Sequence, residues 1–188
     1  MKPSNSRRQR VLVFVDSQNI GCNPTYRLNP HKFKEWLAEK GELVCLEAFF
    51  KDCLKTIVPR LQWKEAGFRI RSVRPWENQN GATKGDIDKV MMFHLGKALV
   101  ENEVRKGDLV VLVTGDGDFD FIVEYLCNQD IDVQVVAFAD YTAPPLKIHA
   151  TEFIPLEQLE KELLDKKQDS SNGPVETDKV NGYHTAQT

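Results

Sequence analysis

The stretch at 110–120, Val-Val-Leu-Val-Thr-Gly-Asp-Gly-Asp-Phe-Asp, constrains this chain more than any other. An unbroken apolar run ends abruptly in a glycine turn that carries Asp116, Asp118 and Asp120. The run at 11–15, Val-Leu-Val-Phe-Val, ends in the same manner, in Asp16-Ser17-Gln18-Asn19. A continuous apolar run of this length reads as a strand covered on both faces, the condition of a parallel sheet between layers of helices. Two such strands that stop at aspartates describe a sheet with carboxylates along its C-terminal edge, where open α/β sheets bind their ligands. Carboxylates gathered there repel one another unless a cation or a proton sits among them. A divalent metal site is therefore the first hypothesis.

The rest of the chain alternates in the same way. Strand patterns fall at 43–50, 68–73 and 133–138, beside those at 11–15 and 109–113. Asn29-Pro30 has the form of a helix cap followed by proline in the first turn, and Gly41 closes that helix. Further helices are expected at 57–66, 86–104, 119–128 and 156–166; in the second of these Ile87, Val90, Met91, Leu95, Ala98 and Leu99 share one face. Phe153-Ile154 offers a short edge strand. In the strand at 68–73, Arg69 and Arg71 lie on one face, which suits the edge of a sheet. Strands alternating with helices imply right-handed crossovers and a mostly parallel sheet with helices on both faces. The doubly wound order 3-2-1-4-5 would place the first strand beside the fourth, and Asp16 beside Asp116.

Composition bounds the function. With 188 residues and a formal charge of −3, the chain suits one domain plus a tail, and any nucleic-acid footprint must be local. The expected organisation is a disordered basic lead at 1–10, a folded domain at 11–167 and a disordered polar tail at 168–188. The apolar run after the basic lead is too short for a signal-peptide core or a membrane span. A soluble cytoplasmic protein is expected, with Cys22, Cys45, Cys53 and Cys127 as buried free thiols. Loops of the P-loop and dinucleotide type are absent after every strand, and so is a nucleophile elbow.

Asp16 and Asp116 stand at strand ends and are the strongest site candidates. Asn19 adds a polar group one loop away. Asp118 could join a metal site or cap the helix that follows; Asp120, in the first helical turn, reads as a partner of the helix dipole. An EF-hand loop starting at Asp116 would need glycine and glutamate where Phe121 and Cys127 stand. In Lys84-Gly85-Asp86-Ile87-Asp88, Asp86 fits an N-cap, Asp88 borders the buried helix face, and Lys84 could meet a phosphate. His94 lies about 120° around the helix from Asp88, so a packed or supporting histidine is expected there. Oxygen ligands without cysteine suit Mg²⁺ or Mn²⁺, and such sites hydrolyse phosphodiesters.

The segments F-V-D-S-Q-N at 14–19, K-G-D-I-D at 84–88 and T-G-D-G-D-F at 114–119 resemble, in order and spacing, the NYN domain family, a branch of the PIN-like nuclease superfamily that includes the LabA-like proteins. The resemblance spans residues 11–160, and A-T-E-F-I-P-L at 150–156 is similar to that family's closing strand. It implies a Rossmann-like PIN fold and a ribonuclease site with Mg²⁺ or Mn²⁺ held by Asp16, Asp88 and Asp116, Asp118 supporting and Asn19 positioning. Thr114 stands where serine is frequent in that family, and Asp120 where a small residue or proline is.

RNA needs local positive charge beside such acids. Lys64, Arg69, Arg71, Arg74 and Lys84 are candidates, with Arg7, Arg8 and Arg10 as an arm and Trp76 for base stacking. Single-stranded RNA suits an open crevice best. The leading expectation is a metal-dependent ribonuclease. Its rivals are a non-catalytic RNA-binding adaptor and a metal-dependent phosphatase of small molecules. A homodimer is open to the chain, whose sequence sets no oligomeric state.

Overall fold

A computed structural model describes residues 8–77, 83–84, 86–101 and 103–167, with the backbone alone for 76, 77, 83, 84 and 160. The expected tails, apart from residues 8–10, fall outside these residues. The strands are β1 (Arg10–Asp16), β2 (Tyr26–Leu28), β3 (Glu42–Lys51), β4 (Arg69–Val73), β5 (Trp76–Glu77), β6 (Thr83–Lys84), β7 (Leu109–Val113), β8 (Asp132–Ala137), β9 (Glu152–Pro155) and β10 (Leu164–Lys166). The helices are α1 (Ser17–Ile20), α2 (Pro30–Lys40), α3 (Ile57–Glu65), α4 (Ile87–Val100), α5 (Asp120–Asn128), α6 (Pro144–His149) and α7 (Glu160–Leu163).

The central sheet has six strands in the order β4-β3-β1-β7-β8-β9, and every pairing in it is parallel. Counted along the five core strands read from the sequence, this order runs third, second, first, fourth, fifth, and β9, at the short edge strand expected around Phe153-Ile154, adds the sixth. Apolar side chains alternate between its two faces. Val11, Val13, Val15, Val111 and Val113 pack under α2, α3 and the closing segment, around Phe33, Leu37, Trp63 and Leu156. Leu12, Phe14, Val110 and Leu112 pack on the other face against α4, α5 and α6, around Met91, Leu95, Val123 and Leu146. Because β1 and β7 are covered on both sides, their polar groups can emerge only at their ends, and that is where the aspartates stand.

Local chemistry explains several boundaries. The Asn29 side chain accepts from the amides of His31 and Lys32, and Pro30 occupies the first turn of α2. The helix at 86–104 is shorter than its pattern: α4 stops at Val100, because the amides of Glu103 and Val104 turn back to the Ala98 carbonyl and tuck Val104 into the core. The helix expected at 156–166 is broken into a 3-10 turn, the short α7 and β10, since Leu164 to Lys166 pair antiparallel with β2. That pairing spans more than a hundred residues and leaves no local periodicity to read. The thiols are free as expected but not buried: Cys22 and Cys53 are exposed, Cys45 and Cys127 half-buried. No helix of the described residues is long and apolar enough to cross a membrane.

Candidate metal and RNA site

Asp16 ends β1 next to Phe49 of β3 and one residue beyond the Val15–Val113 pair that joins β1 to β7. Its residue surface is only 5% exposed. One carboxylate oxygen, Oδ1, accepts from the amides of Gln18 at 2.9 Å and Asn19 at 3.1 Å, which turns the chain into α1. Burial pushes this carboxyl up from 3.8 to about 6; the two amide bonds oppose the shift, and the charges of Asp116 and Asp88 add to it. The strand order thus brings into one electrostatic field three acids that are far apart in the chain.

Asn19 does a job that its position in sequence does not announce. Its Oδ1 accepts from the Gly115 amide at 2.7 Å, tying the loop after β1 to the loop after β7. Gly115 is required there: a Cβ would stand 2.3 Å from the Tyr141 carbonyl oxygen, and that oxygen belongs to the backbone, which cannot swing aside. The Gly115 carbonyl in turn accepts from the Ala143 amide at 2.9 Å. The turn after β7 is therefore gripped from both sides.

Asp116, half-buried, caps the 3-10 turn Gly117–Phe119, accepting from the Asp118 amide at 3.0 Å. The capping role considered for Asp118 belongs to Asp116. Asp118 is exposed, and its backbone is the donor. Asp88 lies half-buried in the first turn of α4, which packs against the Gly117–Phe119 turn. Asp86 occupies the N-cap position of α4 but makes no capping bond with its side chain; its carboxylate pairs with Lys89 at 2.5 Å. Asp120 meets His149 Nδ1 at 2.7 Å. Among the described residues no group of three or more His, Cys, Asp or Glu side chains stands close enough together to hold a metal ion.

The basic candidates fare unevenly. Arg71 is committed elsewhere: its Nε and Nη2 donate to Glu47 Oε1 at 3.2 and 2.5 Å. Arg69 Nη1 lies 3.5 Å from the same oxygen, and His94 Nδ1 stands 3.2 Å from Glu47 Oε2. Glu47 is 4% exposed, and this network explains both why two arginines line the edge strand and why His94 faces inward. In the sequence the one signal of Glu47 is that of an acid inside the apolar run 43–50. Burial lowers the His94 pKa, with Arg71, Lys97 and Arg69 acting in the same direction against Glu47. Arg74, just past β4, is exposed, as is Lys64 on α3. The backbones of Trp76 and Lys84 pair across the β5–β6 ribbon; their side chains, and Arg7, lie outside the described residues.

The family model of the NYN domain matches residues 10–157 of the chain. No curated protein matches the chain. A crystal structure of a protein of unknown function from Vibrio parahaemolyticus is similar, with a TM-score of 0.70 at 20% identity over 85% of this chain and 98% of that one. That likeness concerns the fold.

Proposed function

This chain belongs to the NYN domain family, within the PIN-like nuclease superfamily, and from that premise we propose that it is a metal-dependent ribonuclease whose acidic edge cleaves single-stranded RNA. NYN nucleases act on RNA, and PIN-like nucleases generally use divalent metals. The observation that carries the reading for this chain is Asp16: a buried carboxylate at the switch point of the sheet, pushed up to about 6 with Asp116 and Asp88 adding their charges. Strongly perturbed groups in a crevice mark functional sites.

The donor set fits a hard divalent cation. It consists of carboxylate oxygens, and their mutual repulsion is relieved by positive charge. Asp16, Asp88 and Asp116 would hold the ion, with Asp118 completing the shell. Bound there, Mg²⁺ or Mn²⁺ supplies an activated water and neutralises charge that develops on the phosphate. The protein's own contribution is positional. Asp16 is fixed by two amides, Asp116 by one, and Asn19 locks their two loops together. The described hydrogen bonds leave the side chains of Asp88 and Asp118 unanchored, so they are the ones that adjust to close around an ion. Arg74, Lys84 and Trp76 are the substrate contacts; Arg71, on the edge strand β4, contributes by holding Glu47 of the neighbouring β3.

The separation of the acids favours one second reading, a non-catalytic RNA-binding adaptor. Cleavage of a labelled single-stranded RNA with Mn²⁺ or Mg²⁺ separates the two, with Asp16→Asn and Asp116→Asn as controls. Metal-dependent cleavage lost in both folded variants supports the nuclease. Saturable RNA binding without cleavage by the wild type supports the adaptor, and turnover of mononucleotides alone would point to a small-molecule phosphatase.

A further inference from the structure

The 3-10 turn Leu54–Thr56 and α3 carry an apolar stripe that nothing among the described residues covers. Leu54 is 85% exposed, Ile57 42%, Val58 62% and Leu61 52%. Their spacing of i, i+3, i+4 and i+7 places them on one side of the helix, opposite buried Trp63. The sheet is already served by Trp63 and Ala66. Four adjacent exposed aliphatic residues therefore form a second, outward apolar face, the kind of patch that marks an interaction site.

The flanks choose the occupant. At about 100° per residue, Lys55 and Lys64 fall on opposite sides of the stripe. Neither has a hydrogen bond or ion pair among the described residues, whereas Arg60 is tied to Asp52 at 2.7 Å. Glu65 closes the stripe one turn beyond Leu61. Two copies of this face would bring together Lys55 and Lys64 of each with one Glu65 of each, lysines outnumbering acids two to one, so self-pairing is disfavoured. The segment 156–166 of this same chain, which also carries acids among leucines, is not available, because Leu156, Leu163 and Leu164 are buried in its own core. Aliphatic side chains at helical spacing suit the packing of another helix, while single-stranded nucleic acid is held chiefly by aromatic stacking.

We propose that the exposed face of α3, with Leu54, Ile57, Val58 and Leu61 between Lys55 and Lys64, docks an acidic amphipathic helix of a partner protein. Acids on the partner's flanks meet the two lysines, and its apolar stripe covers the four aliphatic side chains. The face begins shortly after β3 passes Phe49, the residue in register with Asp16.

The test uses the full chain with labelled Ile, Leu and Val methyl groups, titrated with a synthetic amphipathic helix of about five turns whose leucines are flanked by glutamates. A control peptide carries lysines in their place. The expected result is saturable shifts at the methyls of Leu54, Ile57, Val58 and Leu61 with the acidic peptide alone. Lys55→Glu with Lys64→Glu should weaken that binding about tenfold and admit the lysine peptide; Val58→Asp should abolish binding with the thermal melt unchanged. Unmoved methyls, or equal binding of both peptides, would overturn the proposal. So would shifts at these methyls that follow protein concentration alone, which assign the face to a second copy, or that follow single-stranded RNA, which assign it to nucleic acid.

Discussion

Asn19 Oδ1 accepts from the Gly115 amide at 2.7 Å, so a side chain from the loop after the first strand fixes the backbone of the loop after the seventh. The two residues are 96 positions apart in sequence. Their bond sets how the Asp16 and Asp116 loops stand relative to each other. Asn19→Ala leaves the Gly115 amide without its acceptor at a buried residue, which costs about 1–3 kcal/mol. Metal-dependent cleavage should fall more steeply than stability does, because small displacements of reacting groups are expensive. Equal kcat values for wild type and Asn19→Ala, measured on the same RNA, would show that the bond is structural alone.

Asp16 should show opposite signs in stability and activity. Its carboxyl titrates at about 6 in the folded protein, against an ordinary value of 3.8. Between these values the native state holds the extra proton, so metal-free stability falls as pH rises from about 4 to about 6 and levels off above that. The whole effect is on the order of 2–3 kcal/mol. Asp16→Asn keeps an oxygen for the Gln18 and Asn19 amides but removes the charge. It should therefore raise the Tm above pH 6 while abolishing cleavage. Melts from pH 4 to 8 without metal check the first half; a variant that melts lower than wild type at pH 7.5 would contradict it.

Cation binding should titrate with the same group. A protonated Asp16 cannot serve as a ligand, so Mn²⁺ affinity should decline as pH drops through about 6. Calorimetric titration of the folded protein with Mn²⁺ at several pH values measures this directly, and proton release on binding should be half complete near that pKa and grow as pH falls below it. A flat affinity between pH 5 and 8 would remove Asp16 from the ligand set.

Gly115→Ala should be among the most damaging small substitutions in the chain. The new methyl would lie 2.3 Å from the Tyr141 carbonyl oxygen and 2.9 Å from the Thr142 Cα. Relief requires backbone movement in the turn that carries Asp116, at a cost of about 1–3 kcal/mol. Gly96→Ala is the control, since a Cβ there meets nothing within 4 Å and the site is in a helix; it should stabilise slightly. Thermal melts of the pair decide whether space at position 115 matters.

Arg71 and Arg74 should separate cleanly. Arg71→Ala strips the buried Glu47 of its strongest partner and leaves it Arg69 and His94; with those remaining and Arg71 partly exposed, about 1–3 kcal/mol is expected. Arg74→Ala should leave the Tm unchanged and weaken RNA binding with a shallower salt dependence. Anisotropy titrations with single-stranded RNA at two salt concentrations, beside melts, test both. Arg71→Ala with normal stability and reduced RNA affinity would return Arg71 to the substrate.

Much of this molecule is legible in its sequence. The central strands β1 and β7 are visible as apolar runs, because a strand buried on both faces must be apolar throughout. The cap of α2 is visible as Asn29-Pro30, because capping is a contact between near neighbours. Partner choice is less legible. Arg71 has the look of an RNA contact and instead grips Glu47, since a sequence shows that a strand carries charge but not which strand lies beside it. The capping role offered to Asp118 falls to Asp116, a shift of two residues that depends on the exact turn taken after β7. The antiparallel pairing of β10 with β2 has no local signal at all.

The sequence by itself determined that two apolar strands end in aspartates, and that helices of defined phase cover them; these follow from periodicity and chain stiffness, which act over a few residues. The tertiary structure alone decided that Asp16, Asp88 and Asp116 share one field, that Asn19 clamps Gly115, and that Glu47 claims Arg71. Each of these depends on which strands are neighbours, and neighbourhood in a parallel sheet is set by crossovers through the whole fold. The same separation explains the apolar stripe of α3: its residues were fixed in the sequence, but only the packed sheet revealed that Trp63 had already satisfied the core and left Leu54, Val58 and Leu61 facing outward.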